Sequence, residues 1–226
     1  LLERGVKIYE RTPALKIEQD KKLRIPTPEG EVEAEKAVVA TNAYIDQVSC
    51  LRDRVLPLFT YIVLTEPLNL NQMEALGWKK RQALENRRNY IHYIRLTSDN
   101  RILIGGEIFQ YGYNSRLQGM DRNELVFNRL KTSLRKTFPD LLEVNFSHMW
   151  GGPLAISIDF MPTFNVAGEK RNIFYAGAYC GHGVSLGNFA GRILVDMILG
   201  RKGPYSDLPF VGNHLIYMPF EPWRYI

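Results

Sequence analysis

From Gly5 to Ala40 the chain alternates apolar and polar positions in short runs, which predicts a meander of strands. GVKIYE and ALKIEQ carry the β-rich pattern, Asp20-Lys21-Lys22 turns the chain, and LRIPTP leads to a second turn at Pro28-Glu29-Gly30. EVEAEKAVVAT passes from a polar strand into Ala37-Val38-Val39-Ala40, a short apolar run of the kind a buried parallel strand shows. Beyond Arg54 the texture changes. VLPLFTYIVLTEPL is β-rich and broken by prolines, and NLNQMEALGW predicts a short helix capped by Asn71. NYIHYIRLTSDNRILIGGE reads as two strands joined by the turn residues Ser98-Asp99-Asn100. A helix is predicted over Asp121 to Thr137, with Asp121 as cap, Glu124 three residues on, Leu125, Leu130 and Leu134 facing inward, and Pro139 as its stop. FSHMWGGPLAISIDFMPTFNVAGEKRNIFYAG then predicts strands separated by Gly-Gly-Pro and Gly-Glu-Lys turns.

The stretch NIFYAGAYCGHGVSLGNFAGRILVDMILG, Asn172 to Gly200, concentrates the chemistry. A strand over Ile173 to Ala176 runs into a glycine turn (Gly177, Gly181, Gly183) and then a helix whose apolar face is Leu186, Phe189, Ile193, Val195, Met197 and Ile198. Gly200, with Arg201 and Lys202 beyond it, stops that helix. Gly187 and Gly191 lie four apart, where another backbone or a flat ligand can approach. A strand, a glycine turn and a helix N-terminus gather backbone N–H groups that suit an anion or an electron-rich ring. A tight packing turn in an α/β layer is the other reading of these residues. The final segment, PYSDLPFVGNHLIYMPFEPWRYI, is proline- and aromatic-rich and is expected over the surface.

Composition narrows the field. An apolar content of 45% in 226 residues is ordinary for a globular core, and no run approaches the ~18 apolar residues of a membrane span. Net charge is +5 and the pI about 9.1, with Lys and Arg scattered, so no nucleic-acid partner is expected. Cys50 and Cys180 are too few for a disulfide framework and fit a reducing, cytoplasmic setting. His92, His148, His182 and His214 are dispersed and neither cysteine belongs to a CxxC pair, so no metal site is expected. P-loop and H-E-x-x-H patterns are absent from the sequence. The opening Leu1-Leu2-Glu3-Arg4-Gly5 has no initiating Met and no signal-like character, and reads as the start of a fragment.

AGAYCGHGVSLGNFAG resembles the C-terminal flavin-contacting segment of the FAD-dependent amine and amino-acid oxidases, the superfamily of D-amino-acid oxidase, glycine oxidase and sarcosine oxidase. Motif order extends the resemblance to about Gly203. The fold it implies is α+β: a large mixed, mainly antiparallel sheet of a substrate domain with a covering helix, plus the C-terminal half of an FAD-binding α/β domain. Residues 1–53 and 151–203 fall to the FAD-binding domain, 54–150 to the substrate domain and 204–226 to a surface tail. The resemblance implies FAD as cofactor, a small-molecule amine as substrate, and flavin contacts from Val6, Ala40, Thr41, Asn42, Gly177, Cys180, Gly181, His182, Gly183 and Val184. Asn42 stands where the family's Ala-Thr-Gly-like turn has glycine, and Asn tolerates the left-handed backbone. His182 and Tyr93 are the candidate catalytic residues, while Tyr93, Arg95, Trp150 and Leu154 are the candidate substrate contacts. Structural roles for His182, in its glycine turn, and for Tyr93, as a sheet aromatic, stay open. Trp150-Gly151-Gly152 resembles the family's W-x-G, and Asp159-Phe160-Met161-Pro162 its D-x-x-P turn.

Two departures bear on function. The G-x-G-x-x-G fingerprint that cradles the FAD pyrophosphate has no match in this sequence, which implies that the N-terminal FAD-binding half lies elsewhere in a longer chain or in another chain. A non-catalytic remnant or accessory subunit that binds no FAD by itself is the competing reading. Leu154 occupies the place of the Arg in the glycine-oxidase pattern W-x-G-x-R, and Ser185 that of the Lys in the sarcosine-oxidase pattern GHG-x-K. Loss of a paired carboxylate anchor costs on the order of 3 to 5 kcal/mol. An α-amino-acid substrate is therefore disfavoured unless Arg95 takes the anchor's place. TNAY and RILIGGE lean toward the gamma-glutamylputrescine-oxidase branch, whose substrates are amines or polyamine conjugates.

Overall fold

The computed structural model describes residues 2–47, 51–87 and 90–224. Cys50 lies outside them. The chain divides into two compact units, Pro57–Leu154 and the pair of segments Leu1–Leu56 with Ala155–Arg224.

β1 (Glu18–Gln19), β2 (Leu23–Thr27) and β3 (Gly30–Ala34) form a small antiparallel sheet, with the turn at Pro28-Glu29 as the sequence predicts. GVKIYE is not a strand. Val6, Ile8 and Tyr9 stay exposed in irregular chain, because β propensity forms no ladder without a neighbouring strand. β4 (Ala37–Val39) follows.

The second unit begins with β5 (Leu56–Thr65), then α1 (Leu70–Leu76), β6 (Leu84–Glu85), β7 (His92–Leu96), β8 (Ile102–Tyr111), α2 (Glu124–Thr137) and β9 (Phe146–Ile156). Its five-stranded sheet has the order β6-β7-β8-β5-β9, with antiparallel pairing of β6 to β7, β7 to β8 and β8 to β5. α1 is capped by Asn69 rather than Asn71: its side chain accepts from Gln72 N while the Gln72 side chain accepts from Asn69 N, a reciprocal capping box. α2 starts later than Asp121, because Asn123 is extended and its side chain accepts from Val126 N. That shift turns Leu125 outward (63% exposed) and makes Val126, Phe127, Leu130 and Leu134 the inner stripe. Each such buried side chain contributes about 1.5–3 kcal/mol. They pack on Phe59, Tyr61, Val63, Ile94, Leu96, Ile102 and Ile104, one face of the sheet. Gly151-Gly152-Pro153 does not break β9 into two strands. β9 is an edge strand, where a proline without N–H is tolerated.

The chain then returns to the first unit with β10 (Thr163–Ala167), β11 (Ile173–Gly177) and α3 (Gly183–Ile198). β10 pairs antiparallel with β11, and β11 pairs parallel with β4. All five residues of β11 are buried, with alternate residues packing on two core clusters. α3 buries Ala190, Ile193 and Leu194, with Phe189, Met197 and Ile198 packed beside them. Val195 is exposed, unlike the sequence expectation, and Leu194 takes the inner position. β4 also departs from a fully buried strand: Val38 is 49% exposed. The C-terminal segment is tied down: Val211 bridges Phe164, Leu215 enters the core, and Arg54 donates to the Leu215 carbonyl. The result is the α+β fold expected from sequence, with a mainly antiparallel sheet and a covering helix.

Candidate functional site

Parallel pairing of Ala37, Val38 and Val39 with Ile173, Phe174 and Tyr175 makes β4 and β11 end at the same edge. Ligands in α/β sheets bind outside such carboxyl ends. Ala40-Thr41-Asn42 leaves one strand there and Gly177-Ala178-Tyr179-Cys180 the other. A Cβ at Gly177 would lie 3.8 Å from the Asn42 Cα, which places the two turns side by side. Asn42 has φ +45, the left-handed conformation its residue type allows. Its Oδ1 is buried without a hydrogen-bond partner among the described residues. A buried acceptor of this kind costs about 1–3 kcal/mol unless something donates to it.

The turn after β11 is built on positive φ at Ala178 (+53), Cys180 (+48) and Gly181 (+94). Sequence reasoning sought that freedom in Gly177, Gly181 and Gly183; Gly177 is strand and Gly183 already helix. Cys180 N donates to Ala155 O at 3.2 Å and His182 N to Tyr179 O at 2.8 Å, pinning the loop. The Cys180 Sγ is half-buried, near Ala178 O and, at 3.7 Å, the Ser157 hydroxyl. No side chain caps the N-terminus of α3, and Val184 in its first turn is 90% exposed. The imidazole of His182 is exposed at the same place. Sixteen residues of helix thus present an N-terminus with no side-chain cap, and the strand that leads into its turn ends next to Asn42. That combination fits a group with both donors and developing negative charge, as a flavin ring has. Val6 is exposed in irregular chain, and no hydrogen bond or strand pairing joins it to this cluster among the described residues.

The Pro57–Leu154 unit carries the other candidates. Phe59, Tyr61, Ile94, Ile102 and Ile104 face the α2 side, and a Cβ at Gly151 would lie 2.7 Å from the Tyr61 ring. Alternation therefore puts Tyr93, Arg95, Trp150 and Leu154 together on the opposite face. Tyr93 is half-buried, and burial pushes its phenol above the ordinary tyrosine value, opposed by the Thr60 hydroxyl. Its ring lies across Gly105, where a Cβ would stand 2.2 Å from Tyr93 Cζ. Thr60 and Gly105 were not singled out from sequence. The signal was present in the alternation of TYIV and LIGG, which turns both away from the core. On the core face, His92 Nε2 meets Glu107 Oε2 at 2.6 Å where β8 bulges, a structural pairing. Among the described residues no group of three His, Cys, Asp or Glu side chains could hold a metal ion, and no helix is long and apolar enough to cross a membrane.

The family model of FAD dependent oxidoreductases, DAO, matches residues 1–197. Gamma-glutamylputrescine oxidoreductase of Escherichia coli (strain K12) is 32% identical over 224 residues, 96% of this chain and 50% of its own. Glycine oxidase of Bacillus subtilis (strain 168) is 24% identical over 201 residues, 88% of this chain and 50% of its own. The structure of L-proline dehydrogenase from P. horikoshii superposes with a TM-score of 0.74 at 18% identity, covering 91% of this chain and 54% of that one. Glycine oxidase from Geobacillus kaustophilus gives 0.71 at 22% identity, with coverage of 92% and 53%. The chain spans about half the length of the curated relatives it matches. With the family model covering most of its residues, the chain belongs to the DAO family of FAD-dependent oxidoreductases.

Proposed function

We propose that this chain forms the substrate-binding and flavin-facing part of an enzyme that oxidises the C–N bond of an amine, of polyamine type or related. The observation that carries the cofactor half of this reading is the adjacency of Asn42 and Gly177 at the carboxyl ends of β4 and β11, with Asn42 Oδ1 unpartnered among the described residues. Bound FAD supplies a ring that accepts a hydride from the carbon beside the amine. The Asn42 carbonyl oxygen would accept from a donor edge of the bound ring, and the N–H groups opening α3 would favour negative charge. Ala178, Cys180 and Gly181 shape the turn that leads into this helix end. His182 stands at the same helix end, placed to contact the cofactor through its backbone or ring. In the other unit, Tyr93, Arg95, Trp150 and Leu154 share the face assigned to substrate.

The pyrophosphate cradle is supplied by an N-terminal FAD-binding half, in the same longer chain or in another. The half-length coverage of relatives and the exposed flank of β4 and α3, Val38 and Val184, support this partner. We assign residues 1–53 and 151–203 to the cofactor domain and 54–150 to the substrate domain, with 204–226 as a C-terminal tail of which Val211 and Leu215 pack on the former. The paucity of cysteine supports a cytoplasmic enzyme. The lack of G-x-G-x-x-G favours a second reading, a non-catalytic subunit of the same fold.

The test is anaerobic bleaching of the flavin band in the FAD-loaded full-length protein, with putrescine derivatives, glycine and sarcosine as the panel. Bleaching by the putrescine derivatives supports the proposal. Bleaching by glycine or sarcosine alone refutes the polyamine-type assignment, and bleaching by no amine favours the non-catalytic reading.

A further inference from the structure

Within the unit formed by Leu1–Leu56 and Ala155–Arg224 lies a cavity of about 230 Å³, lined by Arg54, Arg171, His214 and Tyr175 and by no carboxylate among the described residues. Gly168 and Arg171 belong to the hairpin turn between β10 and β11, so the cavity lies at the edge where β11 begins, opposite the Asn42–Gly177 edge. Arg54 is half-buried. Its guanidinium lies 3.6 Å from the centroid of the Tyr217 ring and donates to the Leu215 carbonyl, while its Nε is buried with no hydrogen-bond partner among the described residues. The neighbouring carboxylates do not balance it. Asp53 is engaged by Arg224 at 2.6 Å, and burial raises the pKa of Asp46, which favours its neutral form. Glu169, on the hairpin turn, is exposed and outside the cavity lining. Burial also pushes the Tyr175 phenol up, opposed by the Thr163 hydroxyl and by the charge of Arg54, so a neutral phenol stands near that guanidinium. Arg171 and His214 are exposed and have no ion pair to a described residue, whereas Lys170 turns away to the carbonyls of Asp20 and Lys21. A half-buried guanidinium without a counter-charge is unfavourable unless an anion offsets it. Two guanidinium groups and an imidazole, brought from three separate segments, suit a tetrahedral oxyanion, which offers oxygens in several directions where a flat carboxylate offers two.

We propose that Arg54, Arg171 and His214 form a binding site for a phosphate group, free or as a small phosphomonoester, at the edge of the β10-β11-β4 sheet away from the cofactor cluster. The site goes beyond the amine-oxidation reading and does not depend on it. With about 30 Å³ for each water in the liquid, the cavity holds more than a phosphate alone, and Leu51, Val166 and Leu215 give it an apolar side on which a small organic group can rest. Arg54 precedes β5, Arg171 ends the hairpin turn and His214 belongs to the C-terminal segment. A bound phosphate would therefore tie three segments of one unit together and stabilise it by mass action.

The experiment is isothermal titration calorimetry of the FAD-loaded full-length protein with inorganic phosphate, glycerol 3-phosphate and glycerol, at fixed ionic strength. Loading with FAD keeps the cofactor's own pyrophosphate site out of the readout. The expected result is saturable binding of at least one of the two phosphates and none of glycerol. Arg171→Gln, at an exposed position, should weaken that binding about tenfold. Lys170→Gln removes the same charge one residue away, outside the cavity lining, and should leave the affinity unchanged. Arg54→Gln should weaken it further, and if that variant does not fold, Arg171→Gln decides. Tighter binding of glycerol 3-phosphate supports a phosphomonoester ligand, and tighter binding of inorganic phosphate supports the free ion. Absence of binding in the millimolar range, equal weakening by Lys170→Gln, or an affinity that survives Arg171→Gln would overturn the proposal. Phosphate binding by a protein whose flavin no amine bleaches would leave this site standing and remove only the amine-oxidation reading.

Discussion

Adjacent glycines in β8 give opposite expectations for the same substitution. At Gly106 the backbone has φ +113, and an added Cβ would lie 1.8 Å from the carbonyl oxygen of Ile91. That neighbour is backbone and cannot swing aside, so the β7–β8 ladder at His92 and Gly106 must open. The left-handed conformation costs about 1–2 kcal/mol, and a disrupted, partly buried hydrogen-bonded pair adds about 1–3 kcal/mol. Gly106→Ala should therefore lose roughly 2–5 kcal/mol, toward the size that marks steric or buried-polar defects. For a unit of this size 1 kcal/mol moves Tm by about 4–8 °C, so the unit should melt about 10 °C lower or more, or not fold. At Gly105 the clash is with Cζ and Oη of Tyr93, the far end of a side chain that can rotate. Gly105→Ala should cost about 1 kcal/mol or less but expel the phenol from its seat. Thermal melts by circular dichroism read the first effect, and ultraviolet difference titration of the tyrosines reads the second. Burial raises the Tyr93 pKa, so the expelled phenol should ionise at lower pH than in the parent. Equal melting losses for the two variants, or a Gly106→Ala chain as stable as its parent, would refute this account of the sheet.

Other expectations follow from single residues. Burial raises the Asp46 carboxyl pKa, and its Oδ1 has no partner among the described residues. A carboxyl with a raised folded pKa stabilises only while protonated, and that contribution is lost as pH rises through the folded value. Asp46→Asn should hence raise Tm by a few degrees at pH 7 and give no gain near pH 3, measured by melts across that range. Asn123→Ala should cost about 0.5–2 kcal/mol through the lost α2 cap, while Asp121→Ala should fall within about 0.5 kcal/mol of the parent, both by urea denaturation. Leu130→Ala should cost about 2–5 kcal/mol and Leu125→Ala almost nothing, because only Leu130 is buried.

Much of this was legible in the residues, for identifiable reasons. Apolar alternation located β5, β7 and β8, and Ser98-Asp99-Asn100 marked their turn, with Asn100 at φ +62. Helix boundaries were harder to read, since Asn69 and Asn123 each compete with a nearby residue, Asn71 and Asp121, able to make the same cap. Backbone geometry, not composition, selects between them. GVKIYE misled because strand propensity does not reveal whether a partner strand is present. Gly151-Gly152-Pro153 misled for the complementary reason: an edge position, invisible in the sequence, lets a proline remain in a strand. In the cofactor cluster, Asn42 was readable as a left-handed residue, whereas Ala178 and Cys180 were not, because neither residue type favours that conformation.

The most direct test of the cofactor site uses Gly181. Its φ is +94 and nothing lies within 4 Å of a Cβ there, so Gly181→Val alters the turn through backbone conformation with no packing conflict. FAD is titrated, with absorbance in the flavin bands as the readout, into this chain combined with its N-terminal FAD-binding half. The account predicts that the parent retains flavin through gel filtration and that Gly181→Val weakens it at least tenfold. Equal retention by the variant, or by the N-terminal half without this chain, would contradict the assignment of the β11–α3 turn to the flavin.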